Sequence, residues 1–133
     1  MNEQEVKDYY LGESFKLTTE FNLESTERQH RGIDLLAKSS TPIYSLTDGT
    51  VTKVFNNDQI GGYGIRVKDK DGISYQYLHM KNFPTLKEGQ NVAAGDILGL
   101  VGNSGLSQAP HVDIKIMKEN RFIDPLHYLK GIE

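Results

Sequence analysis

Alternation of apolar and polar residues dominates the second half of the chain. In "HVDIKIM" (111–117), Val112, Ile114 and Ile116 fall on one face of an extended segment, and His111, Asp113 and Lys115 fall on the other. The runs "TVTKVF" (50–55), "YGIRVKD" (63–69), "ISYQYLHM" (73–80) and "DILGLVG" (96–102) also read as strands, being short and rich in β-branched and aromatic residues. Turn-forming stretches separate them: "DGT" at 48–50, "GGYG" at 61–64, "DG" at 71–72, "EGQ" at 88–90, "AGD" at 94–96 and "GNSG" at 102–105. "KDKDGIS" joins two strands as a hairpin. Helix is scarce. Residues 2–10 can form a short one, and "DPLHYL" (124–129) a terminal turn with Pro125 near its start. The expectation is an all-β fold: an antiparallel sheet core of barrel-sandwich type, built as a duplicated hybrid motif, with a second small sheet and a groove at one face. Its packing is expected from Val51, Val54, Ile65, Val67, Leu78, Ile97, Leu100, Val112, Ile114 and Ile116.

With 133 residues, the chain suits one domain with one core. Hydrophobic residues make up 37% and charged residues 25%, a balance that argues for folding rather than disorder. A net charge of −3 gives no reason to expect nucleic acid as a partner, and no basic run marks a membrane surface. No apolar run reaches the length of a transmembrane span. "MNEQEVKDYYLGESF" lacks the charged start and apolar segment of a signal peptide, so a cytosolic chain, another export route, release by lysis and excision from a larger protein all stay open. Cysteine is absent, which leaves His, Asp and Glu as the strong metal ligands.

The chain has four histidines, and three of them keep suggestive company. "HRGIDLL" (30–36) puts His30, Gly32 and Asp34 on one face of an extended segment, with glycine leaving space between two metal-capable groups. "YQYLHM" (75–80) puts Tyr75, Tyr77 and His79 on one face and Leu78 on the other. His111 and Asp113 share a face, behind a loop of small residues, "GNSGLSQAP", and a proline that fixes the backbone. Each taken alone reads first as an ordinary structural or exposed histidine. Together they supply three His and two Asp, enough for three ligands with an open position and two imidazoles for proton transfer. His127 has no partner in this scheme and reads as structural.

The order H-x-x-x-D, then a histidine closing a Tyr-rich strand, then Pro-His-x-His resembles the lysostaphin-type (LytM-like) zinc metallopeptidases. In this chain the three motifs read "HRGID", "YLH" and "PHVD". "STPIYSLTDGTV" (40–51), "GGYG", "LKEGQNVAAGDILGLVGNSG" (86–105) and "IDPLHYL" (123–129) also match. The likeness covers about His30 to Leu129, giving an N-terminal extension and first strand over 1–29 and a peptidase-like domain over 30–133 of a single globular unit. It implies a metal-dependent endopeptidase that cuts peptide cross-bridges of bacterial peptidoglycan, with one zinc ion (Zn2+) as cofactor. It also implies an extracellular or cell-envelope setting, which for a chain without a signal peptide includes a phage virion or tail. Carried over by position, the metal ligands are His30, Asp34 and residue 113, and the catalytic pair is His79 and His111. Tyr63 and Asn103 lie in loops expected to line the substrate groove.

The chain departs from that pattern at position 113, where Asp replaces the third-ligand histidine. A carboxylate can ligate zinc. Two carboxylates and one imidazole nevertheless cancel the charge of a dication, which weakens its effect on bound water and shifts preference toward harder cations. The expectation is weaker zinc binding and impaired hydrolysis. One rival is a catalytically degenerate domain acting as a cell-wall binding or scaffold module. Another is a biotinyl- or lipoyl-type carrier, suggested by "VAAGDIL", whose candidate lysines Lys115 and Lys118 lack the usual Met-Lys-Met context.

Overall fold

The computed structural model describes residues 1–24 and 30–132; residues 25–29, at the end of the expected extension, and residue 133 lie outside them. Helix α1 (Glu3–Leu11) starts at an Asn2 cap whose side chain accepts from Glu5 N–H, while the Glu5 carboxylate accepts from Asn2 N–H. Val6 and Tyr10, four residues apart and so on one face, are both buried. The Tyr10 hydroxyl donates to the Tyr44 carbonyl at 2.6 Å and accepts from Tyr44 N–H at 2.9 Å, and Tyr9 donates to the Pro42 carbonyl. The N-terminal segment therefore belongs to the same core as the sheet.

Among the described residues, ten strands follow: β1 (Lys16–Thr19), β2 (Ile33–Leu36), β3 (Pro42–Tyr44), β4 (Gly49–Asp58), β5 (Gly62–Lys68), β6 (Ser74–Met80), β7 (Asn91–Val92), β8 (Ile97–Leu100), β9 (His111–Lys118) and β10 (Arg121–Ile123). Helix α2 (Pro125–Lys130) closes the chain, capped by Asp124 and ended by Gly131 in the left-handed conformation. Among the described residues, the main antiparallel sheet runs β1-β2-β9-β6-β5-β4-β7, with β10 continuing beside β9, and β3 and β8 form a separate two-stranded sheet. The β5–β6 turn is held by the Asp69 carboxylate, which accepts from Asp71 and Ile73 N–H.

One face of the main sheet is the core. Val112, Ile114 and Ile116 are fully buried there, with Ile33, Ile65, Val67, Tyr75 and Tyr77. The register sets Ile116 opposite Tyr75 and Ile114 opposite Tyr77, so these pairs pack cross-strand. The other face carries Asp34 opposite Asp113 and Leu36 opposite His111.

Two expected alternations fail, each at a bulge. In β8, Ile97 pairs with Tyr44 and Gly99 with Ile43, leaving Leu98 without a cross-strand partner. Leu98 turns inward, Ile97 is left 57% exposed, and Leu100 is half-buried instead of core. In β6, Tyr77 pairs with Ile65 and Met80 with Tyr63, so Leu78 and His79 together stand against Gly64. His79 takes a left-handed backbone (φ 65°), and its N–H donates to the Gly61 carbonyl at 2.7 Å. The expected shared face of Tyr75, Tyr77 and His79 is thus broken. The tyrosines enter the core, and His79 swings to the opposite face. Leu78 is buried beneath Gly61 and Gly64 on that same face and stands outside the main core cluster, while Val54 packs at the core's edge.

Candidate metal centre

The polar face of β2 and β9 gathers the chemistry. Asp34 and Asp113 are cross-strand neighbours, and two carboxylates placed so repel unless a cation lies between them. His30, just before β2, supplies one partner: its Nε2 lies 3.5 Å from Asp34 Oδ1 and 3.5 Å from Asp113 Oδ2. One donor atom from each of His30, Asp34 and Asp113 falls within 4.8 Å of the others. A tetrahedral zinc with bonds of about 2.0–2.1 Å has donor–donor edges of roughly 3.3 Å, so this set fits a divalent cation with little movement. Asp113 is almost fully buried, and its Oδ1, like His30 Nδ1, has no partner among the described residues.

Gly32 is needed for a different neighbour than its spacing suggests. A Cβ there would stand 2.7 Å from Asp113 Oδ1 and 2.7 Å from the Lys115 side chain, and would run into the Ile114 carbonyl. The Lys115 ammonium itself donates to Asp113 Oδ2.

His111 and His79 stand over this cluster with ring centroids 4.5 Å apart. His79 Nδ1 lies 2.7 Å from the Ser104 carbonyl and His111 Nδ1 2.8 Å from the Ala109 carbonyl. A carbonyl only accepts, so each Nδ1 carries the proton and each Nε2 is left as a lone pair. His111 Nε2 points at Asp34 Oδ1, 3.7 Å away. Ser107 Oγ, 3.1 Å from His111 Nδ1, donates in turn to Asn103 Oδ1.

Charge and burial set these groups apart. Burial, with His111 beside it, lowers the His79 pKa. The hydrogen bond to Asp113 and the charges of Asp113 and Asp34 raise that of His30 against its burial. Burial alone would raise Asp113, but its contacts with His30 and Lys115 hold it below the ordinary carboxylate range.

The groove over the cluster has a volume of about 750 Å³. Its walls include Ile60, Leu106, Ser107 and Gln108, which sequence reasoning missed. Ile60 and Leu106 are 68% and 76% exposed, apolar knobs above a polar floor. Leu106 N–H donates to the Ile60 carbonyl at 2.9 Å, and Tyr63 N–H donates to Ser104 Oγ at 3.0 Å, so two loops form one wall. Gly62 and Gly105, both at positive φ, permit this close contact. Tyr63 and Asn103 do not line the groove: Tyr63 packs edge-on against Phe83, and Asn103 braces Ser107. His127 pairs with Asp124 at 3.6 Å within the α2 turn. A second groove, of about 710 Å³, is lined by Asp48, Asp69 and Asp71 without a histidine, and Asp48 and Asp69 already accept backbone N–H groups.

Residues 28–125 match the family model described as Peptidase family M23. The chain belongs to peptidase family M23. It is 37% identical over 101 residues to an uncharacterized metalloprotease of Haemophilus influenzae, covering 74% of this chain and 21% of that protein. It is 33% identical over 107 residues to the glycyl-glycine endopeptidase ALE-1 of Staphylococcus capitis, covering 77% of this chain and 29% of that protein. A zinc containing peptidase from Vibrio cholerae superposes with a TM-score of 0.79 at 26% identity, covering 86% of this chain and 37% of that one. The M23 chain thus spans between 21% and 37% of these relatives' lengths. The all-β antiparallel fold agrees with that family. Among the described residues, no helix is long and apolar enough to cross a membrane.

Proposed function

We propose that this chain is a metal-dependent endopeptidase acting on peptide cross-bridges of bacterial peptidoglycan, in an extracellular or cell-envelope setting that includes a phage particle. The observation that carries the reading is the facing carboxylate pair Asp34–Asp113, bridged by His30 at 3.5 Å to each, beneath two imidazoles with free Nε2 atoms. Membership of a peptidase family with a glycyl-glycine endopeptidase among its relatives supports the substrate class.

His30, Asp34 and Asp113 would hold the ion. A bound zinc ion supplies Lewis acidity for activating water and polarising a peptide carbonyl. His111, whose Nε2 faces the cluster, takes a proton and returns it to the departing amine. His79, kept neutral by burial, is matched to the same work from the other side. Taken by itself, a second carboxylate ligand at 113 would lower turnover below that of a site with two imidazole ligands.

The test is metal content and cell-wall clearing of the protein, His30→Ala and Asp113→His, with new amino termini counted. The protein should bind one divalent ion per chain and release amines, and His30→Ala should lose both. Asp113→His should favour zinc over manganese and cleave faster. A metal-loaded protein that binds walls but frees no amine would leave the scaffold reading.

A further inference from the structure

We propose that Lys115 is a built-in counter-charge of the metal centre, acting with Asp113 as a unit: its ammonium positions the second carboxylate ligand and returns the positive charge that this carboxylate removes. The inference rests on the reading of His30, Asp34 and Asp113 as metal ligands.

Lys115 lies two residues beyond Asp113 on β9, so strand geometry puts both side chains on the site face. The ammonium meets Oδ2, the oxygen that also faces His30. The pair is unusually enclosed, with the Lys115 side chain 18% and the Asp113 side chain 6% exposed, and lysine is seldom buried so far without a partner. The lysine is not drawn off by its cross-strand neighbour Gln76, whose Oε1 is taken by Arg66 at 2.8 and 3.1 Å. Gly32 completes the arrangement, since any side chain there would displace the lysine stem and the Asp113 carboxylate together.

The charge balance gives the arrangement its purpose. One neutral imidazole and two carboxylates exactly offset a dication in formal charge, leaving zero. One ammonium on the Oδ2 that Asp113 also turns toward His30 brings the total to plus one, the value for two imidazoles, one carboxylate and the same ion. A positive charge there has two effects of opposite sign. It weakens binding of the cation, and it increases the acidity of water activated at the site. A lysine that merely props Asp113 in place would strengthen binding and turnover alike.

The experiment compares the protein with Lys115→Met, which keeps the apolar stem, and Lys115→Arg, which keeps the charge. Zinc affinity is read by competition with a chromophoric chelator, thermal unfolding is followed with and without zinc, and peptide hydrolysis is followed against pH. Lys115→Met should bind zinc about tenfold more tightly, and its acidic limb of hydrolysis should move up by about one pH unit. Its metal-free form should melt earlier, because Asp113 has lost a partner, and zinc should raise its melting temperature more than in the parent. Lys115→Arg should stay near the parent in all three. Equal or weaker zinc binding by Lys115→Met overturns the counter-charge role while leaving the metal centre intact. A parent protein that binds no zinc overturns the metal-centre reading itself, and this inference with it.

Discussion

His79 and His111 reach the same point in space by hanging from one loop: their rings lie 4.5 Å apart, and each is held through Nδ1 by a loop carbonyl, Ser104 for one and Ala109 for the other. Neither tether involves His30, Asp34 or Asp113. Replacing either histidine with alanine should therefore lower turnover by roughly 10²–10⁴-fold while zinc stoichiometry stays at the parent value. Amine release and metal analysis on one preparation check this, and loss of metal in His111→Ala would make that residue a ligand instead.

Ser107 bears on the same tether more lightly. It sits 3.1 Å from His111 Nδ1, but the Ala109 carbonyl remains after it is removed. Ser107→Ala should cost less than about tenfold in kcat, with KM and metal content unchanged. A loss as large as that of His111→Ala would mean that the serine, rather than the carbonyl, orients the ring.

Gly32 tolerates no side chain, because the obstacle includes the Ile114 backbone as well as movable atoms. Gly32→Ala should lose about 1–3 kcal/mol of stability in urea unfolding. Adding Lys115→Met should not restore it, since the carbonyl clash persists. Full restoration would place the strain on the lysine stem alone.

Ile60 and Leu106 give the groove an apolar rim where a polar loop would otherwise end. Changing both to serine should raise KM for a peptide substrate by roughly tenfold with little change in kcat, as expected for losing contacts made equally before and during reaction. The kcat/KM ratio across short peptides of varied side chain reads this out directly.

In the metal-free protein, His79 and His30 should titrate on opposite sides of the ordinary value of 6.5. His79 lies below it, so the unfolded chain binds more protons between its folded pKa and 6.5, and stability falls as pH drops through that window. His30 lies above it, so its contribution is complete below pH 6.5 and fades as pH rises through its folded pKa. Imidazole NMR shifts against pH separate the two, and coincident titrations would show that neither environment acts as described.

Strand β9 could be read directly because nothing interrupts its period of two: Val112, Ile114 and Ile116 go inward, and His111, Asp113 and Lys115 outward. The same rule misplaced His79, because an unpaired extra residue in β6 reverses the faces beyond Leu78. Gly61 and Gly64 were the signal, since their bare backbones leave room for Leu78 beneath the turn. Ile97 failed for the same kind of reason, with Leu98 taking its inward place. Tyr63 and Asn103 were placed in the right loops, but loop side chains have no fixed period, and here they brace the wall while Ile60 and Leu106 face the groove. The contact between Lys115 and Asp113 was implicit in their spacing, and its meaning emerges only once Asp34 is seen across the sheet.

The terminal helices lie on the core side of the main sheet, where Lys7 caps the ring of Tyr128 at 4.3 Å and Tyr128 meets Tyr75. The cleft opens on the reverse side. Cargo fused to either end, whether a targeting module or a laboratory tag, would leave from the back of the molecule and keep the cleft unobstructed.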